Sequence, residues 1–152
     1  MPLRPYVLAL WIIFFESVGF LLGLLTSNNI PLWYAGLHKS ALTPPAITFS
    51  IVWPILYAFI AFVGYQLWRN KEKDIFHYYA VNVVFNWLWT PLFFSLHWIG
   101  FSFIWILILT LLTLVITIKL RKNYNYLSNL FFIYFLWLVF ASYLNGVIYL
   151  SN

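Results

Sequence analysis

Cysteine is absent from this 152-residue chain, and charge is scarce: eight Lys and Arg with three Asp and Glu make only 7% of the residues. Without cysteine there is no disulfide, no thiol nucleophile and no cysteine metal site. Soluble domains carry roughly a quarter charged residues. A chain with so few cannot assemble a water-soluble surface, so a soluble globular protein is excluded. Disorder requires low hydrophobicity, and here 64% of residues are hydrophobic. What is abundant is aromatic: nine Trp, eleven Tyr and sixteen Phe, 24% of the chain. The net charge of +5 is read as a record of membrane topology rather than of a nucleic-acid partner.

A bilayer core of about 30 Å takes roughly 20 mostly apolar residues in helix. Five stretches qualify: about Tyr6–Leu25, Ile47–Trp68, His77–Leu96, Gly100–Leu120 and Leu127–Leu150. The runs are continuous, without the alternation of a membrane barrel. The expected fold is therefore an all-α membrane protein, a five-transmembrane-helix bundle, with residues 1–152 as a single domain and no internal repeat. The first run starts at Tyr6 and is too long for a cleavable signal, so it is expected to remain as a span. With five spans, the N-terminus and the second and fourth links share one side. That side holds Arg4, Arg69, Lys71, Lys73, Lys119, Arg121 and Lys122, against Lys39 alone on the other. The positive-inside rule then places the N-terminus in the cytoplasm, for a protein of a bacterial inner membrane.

The link between the first two spans, about Thr26 to Ala46, is long. Connections beyond about 12–15 residues are usually lids or binding loops. Trp33, Tyr34 and Leu37 give it one aromatic-apolar edge, and Pro44-Pro45 delivers the chain stiffly into the second span. A lid over the bundle and an interfacial anchor are both consistent with that edge.

Helical spacing assigns faces. Trp53 and Tyr57 share a face of the second span, and Asn82, Asn86, Trp89 and Phe93 share one of the third. Trp137, Ala141 and Leu144 share one of the fifth, where the small Ala141 leaves room for a flat ring. Ordinary helix packing would use the same stripes. Gly19 and Gly23 permit close helix approach, within one chain or in a homodimer. Thr110, Thr113 and Thr117 are expected to bond their own backbone or a neighbouring helix. Glu16 is the one acid inside a span, and it reads either as a proton-linked group or as a hydrogen-bonded structural acid.

Several blocks carry a resemblance across essentially the whole chain. Trp33-Tyr-Ala-Gly-Leu-His-Lys39, Leu42-Thr-Pro-Pro45, Val52-Trp-Pro-Ile-Leu-Tyr57, Asn86-Trp-Leu-Trp-Thr-Pro-Leu-Phe-Phe94 and Trp137-Leu-Val-Phe-Ala-Ser-Tyr-Leu-Asn145 stand in order. Together they resemble the TspO/translocator protein family, also called tryptophan-rich sensory proteins or peripheral benzodiazepine receptors. The resemblance implies a five-helix membrane bundle that binds porphyrins such as protoporphyrin IX under the first link, for transport or sensing. It also implies that Trp89, Trp137, Ala141 and Leu144 line the pocket, with contributions from Phe49 and Phe101. Some bacterial relatives are credited with light- and oxygen-dependent breakdown of protoporphyrin, and there Trp53 and Trp137 are the implied participants. A regulatory membrane scaffold is a further alternative. The mitochondrial sterol motif, Tyr followed shortly by Lys or Arg, has no counterpart after Tyr143 or Tyr149.

The chemistry of such a ligand adds two residues. Porphyrin propionates need a cation, and Lys39, with His38 as a weaker partner, is the candidate at the pocket mouth; a solvated loop lysine is the alternative. No metal centre is expected, because His77 and His97 cap opposite ends of the third span, about 30 Å apart. No resident cofactor is expected either. The candidate ligand-binding set is Trp33, Lys39, Phe49, Trp53, Tyr57, Asn86, Trp89, Phe101, Trp137, Ala141 and Leu144.

Overall fold

The structure, a computed structural model, describes residues 4–152. The described residues are helical and contain no strand. Helix α1 is Pro5–Thr26, α2 is Asn29–Leu32, α3 is Ala46–Arg69, α4 is Lys73–Phe94, α5 is Ile99–Arg121 and α6 is Asn125–Ser151, with a 3-10 turn at Tyr34–Gly36. The five long helices begin and end within about four residues of the expected spans. The first link is not free of regular structure, since it holds α2 and the 3-10 turn.

Four of these helices, α1, α3, α5 and α6, are both long enough and apolar enough to cross a membrane. Helix α4 has comparable length, 22 residues, but its apolar character is diluted by Lys73, Asp74, His77, Asn82 and Asn86. Position explains that dilution. Helix α4 packs against α1, α3 and α5; Lys73, Asp74 and His77 are exposed in its first turns, while Asn82 and Asn86 are buried against protein. Asn82 Nδ2 donates to Thr113 Oγ1 at 2.7 Å, and Asn86 Nδ2 donates to Tyr134 Oη at 2.8 Å. Outward faces of α1 and α5 are apolar instead, with Leu10 63% and Leu111 63% exposed, a surface suited to hydrocarbon.

The α5 threonines are structural. Thr110, Thr113 and Thr117 each donate to the carbonyl one turn back, at 2.7 to 2.8 Å. Thr110 also meets Ser142 of α6 at 3.0 Å. At one end of the molecule the Arg4 N–H donates to Tyr65 Oη at 2.9 Å. Beside it the turn after α3 is tied to the turn before α6, where Tyr124 Oη donates to Glu72 Oε1 at 2.6 Å. That bond, with burial adding to it, pushes the Tyr124 phenol up to about 12. At the other end the first link is tied to α6: His38 N–H donates to Asn152 Oδ1 at 2.9 Å, and Ser40 Oγ meets Tyr143 Oη at 2.9 Å.

Gly64 marks the closest approach among α1, α3 and α4. A Cβ there would run into the Tyr79 hydroxyl and lie 2.7 Å from the Trp11 ring. Tyr79 Oη in turn donates to the Ile60 carbonyl at 3.0 Å. Gly64→Ala is therefore expected to destabilise the fold by about 1–3 kcal/mol, the usual range for overpacking a tight interior. Thermal unfolding in detergent followed by circular dichroism checks this.

Candidate functional site

A cavity of about 720 Å³ lies between α1, α3, α4 and α6, beneath the first link. Within the size range of small-molecule sites, it is walled mainly by aromatic and aliphatic side chains. Each helix contributes through the spacing that its sequence dictates. On α3, Trp53 and Tyr57 stand one turn apart with ring centres 5.6 Å from each other. On α4, Trp89 and Phe93 are stacked at 5.4 Å with ring planes 12° apart. On α6, Trp137, Ala141 and Leu144 form the floor, and Phe49 of α3 meets Trp137 edge-on at 5.7 Å.

Two backbone features keep this space open. Pro54, inside α3 and on the cavity wall, has no N–H, so the Ser50 carbonyl one turn back loses its helical donor. Gly19 of α1 lies directly against the Tyr57 ring, where a Cβ would collide. Gly19 thus serves a packing role within the chain, while Gly23 has no side chain or backbone within 4 Å of a built Cβ.

Polar groups on the wall are few and under-used. The indole N–H groups of Trp89 and Trp137 are buried without an acceptor among the described residues. Asn145, 2% exposed, has neither its amide oxygen nor its nitrogen bonded. Buried polar groups are almost always paired, and these three residues stand on the cavity wall with those atoms unpaired. Glu16 and Thr90 also line the cavity.

Seven of the sequence-derived candidates therefore meet at one cavity: Phe49, Trp53, Tyr57, Trp89, Trp137, Ala141 and Leu144. Four do not. Trp33 lies over the turn between α4 and α5, stacked on His97 at 4.1 Å and edge-on to Phe93 at 5.4 Å. Lys39 turns back on the link: its Nζ donates to the carbonyls of Tyr34, Ala35 and Leu37 at 2.9, 3.1 and 2.9 Å. Asn86 shares a face with Trp89, but that face meets α6 first, and its amide is taken by Tyr134. Phe101 belongs to α5, which supplies no lining residue; it is 48% exposed and packs on Trp98 and Trp105. Glu16, Tyr34, Phe93 and Asn145 are among the further lining residues that had not been assigned to the site. Tyr34 and Phe93 were legible as members of an aromatic edge and a helical stripe. Burial pushes the Tyr34 phenol up, which keeps it a proton donor.

The chain is similar over residues 11–150 to the model of the TspO/MBR family. A tryptophan-rich protein TspO of Archaeoglobus fulgidus is 32% identical over 90% of this chain and 90% of its own length. A tryptophan-rich protein TspO of Bacillus cereus is 30% identical, over 93% of this chain and 95% of its own. The translocator protein of Sus scrofa is 28% identical, over 90% of this chain and 89% of its own. A family match across nearly the whole chain, joined to long lipid-suited helices, makes this a multi-pass integral membrane protein that belongs to the TspO/MBR family.

Proposed function

We propose that the protein binds flat, conjugated hydrophobic ligands, protoporphyrin IX and related tetrapyrroles, in the cavity between α1, α3, α4 and α6, for transport or sensing. The observation that carries this reading is the wall itself: Trp53, Trp89 and Trp137 converge on one space in which Ala141 leaves a gap. Indole faces stack on planar π systems, each pair adding about 0.5–1.5 kcal/mol beyond buried area. Residues 1–152 act as one domain whose five long helices all cross the bilayer. The N-terminus and the α3–α4 and α5–α6 turns face the cytoplasm of a bacterial inner membrane, a reading supported by the basic residues at that end. The link from Ser27 to Pro45 closes the cavity as a lid. Porphyrin propionates lie towards the link, whose one lysine is Lys39, and away from the α1 wall, where Glu16 stands.

The lid reading rests on the stacking of Trp33 with His97 and on the ties of the link to α6. Trp33→Ala removes that stack, and ligand dissociation is expected to quicken about two- to tenfold, the equivalent of one aromatic contact. Stopped-flow release of protoporphyrin IX measures it.

A second reading, light- and oxygen-dependent breakdown of the bound porphyrin, draws on Trp53 and Trp137 sharing one cavity. Titrating protoporphyrin IX against the intrinsic tryptophan fluorescence, first dark and then illuminated in air with product analysis, tests both readings. Binding predicts saturable quenching at one ligand per chain; breakdown predicts in addition products that disappear in Trp53→Phe and Trp137→Phe. Absence of saturable quenching defeats both and leaves a regulatory scaffold.

A further inference from the structure

The cavity carries one formal charge, and it is negative. Glu16 sits midway along α1 on the cavity wall. Its own helix gives it no partner, since the residues flanking it on the lining are Gly19, Phe20 and Gly23. From α3 the wall offers Trp53 and Tyr57, and from α4 and α6 it offers Trp89, Thr90, Trp137 and Asn145. No lysine, arginine or histidine lines the space, and among the described residues the Glu16 carboxylate makes no hydrogen bond or ion pair. Lys39, the nearest cation in the link by sequence, is held by three carbonyls of that link.

An unpaired carboxylate at this depth costs several kcal/mol, and ionisable residues inside a span mark substrate and ion pathways. Three indoles and a phenol line the same cavity, and aromatic faces hold cationic nitrogen. We propose that, between planar aromatic ligands otherwise alike, Glu16 gives the cavity a preference for the one that carries a protonated amine. The ammonium pairs with Glu16, and the ring system lies among Trp53, Trp89 and Trp137. This rests on the reading of the cavity as a site for flat aromatic molecules and adds to it a choice of charge.

The test uses two matched probes, 9-aminoacridine, a planar cation at neutral pH, and acridine, its neutral counterpart. Binding to the full chain in phosphatidylcholine nanodiscs is measured by equilibrium dialysis, with empty nanodiscs subtracted; a zwitterionic lipid avoids surface attraction of the cation. The expected result is a preference of about tenfold or more for 9-aminoacridine, the usual worth of a charge-assisted contact. Glu16→Gln is expected to erase that preference while leaving the Kd for acridine unchanged, which also reports an intact cavity. Glu72→Gln, which removes a carboxylate outside the cavity, is expected to keep the preference. Equal affinity for the two probes in the unaltered chain, or a preference that survives in Glu16→Gln, overturns the proposal while saturable acridine binding leaves the aromatic cavity standing. If neither probe binds saturably, the cavity reading falls and the proposal with it.

Discussion

In an Ala141→Phe variant the Kd for protoporphyrin IX is expected to rise about seventyfold with little change in unfolding temperature. Ala141 lies on α6 between Trp137 and Leu144, and its methyl group forms part of the cavity floor. A phenyl ring there projects into existing space, so the fold has room for it, unlike a substitution into close-packed core. The ligand does not. Denying it roughly 100 Å² of buried surface at about 25 cal/mol per Å² costs about 2.5 kcal/mol, about seventyfold in Kd. Fluorescence titration gives the affinity and circular dichroism the stability. Phe101→Ala is the matching control, because Phe101 stands on α5 outside the cavity, and its Kd is expected to stay at the unaltered value.

Asn82→Asp is expected to be the most damaging single-atom exchange, with a loss of at least about 3 kcal/mol. Asn82 is fully buried between α4 and α5, and its amide nitrogen donates to Thr113 Oγ1. The hydroxyl proton of Thr113 is already committed to the Leu109 carbonyl at 2.8 Å. Aspartate replaces the donor with an oxygen facing an oxygen. One proton then serves two acceptors, and the second carboxylate oxygen inherits a position where the Asn82 Oδ1 has no partner. Asn82→Leu keeps the shape and removes both polar atoms, for which a cost of only about 1 kcal/mol is expected. Thermal unfolding of the two variants in one detergent separates them; equal losses would mean that volume rather than polarity governs the site.

The long helices were legible because hydropathy and the bilayer fix their length, and α1, α3, α5 and α6 follow their apolar runs. Helix α4 was legible as a helix, but its low hydropathy only makes sense once Asn82 and Asn86 are seen bonded to Thr113 and Tyr134. The cavity wall followed from residues one turn apart, Trp53 with Tyr57 and Trp137 with Ala141, because helical spacing puts them on one face. Spacing has no such hold on the link. Lys39 satisfies carbonyls of its own turn, and Trp33 stacks on His97 across the fold, which no periodicity encodes. Phe101 lies outside the cavity for a different reason: its helix packs on α4 and α6, and a face says nothing of which neighbour it meets. Glu16 was visible as an intramembrane acid, but only the packed helices put it on the same wall as the tryptophans.

The central claim is that the ligand sits among Trp53, Trp89 and Trp137, and light locates it. Illuminated protoporphyrin IX oxidises nearby indoles, and peptide mass mapping reads all nine tryptophans in one experiment on a one-to-one complex. Trp53, Trp89 and Trp137 are expected to be modified first, and Ala141→Phe to protect them. Modification that instead follows exposure, led by Trp98 at 52% and Trp68 at 48% and indifferent to Ala141→Phe, would contradict it.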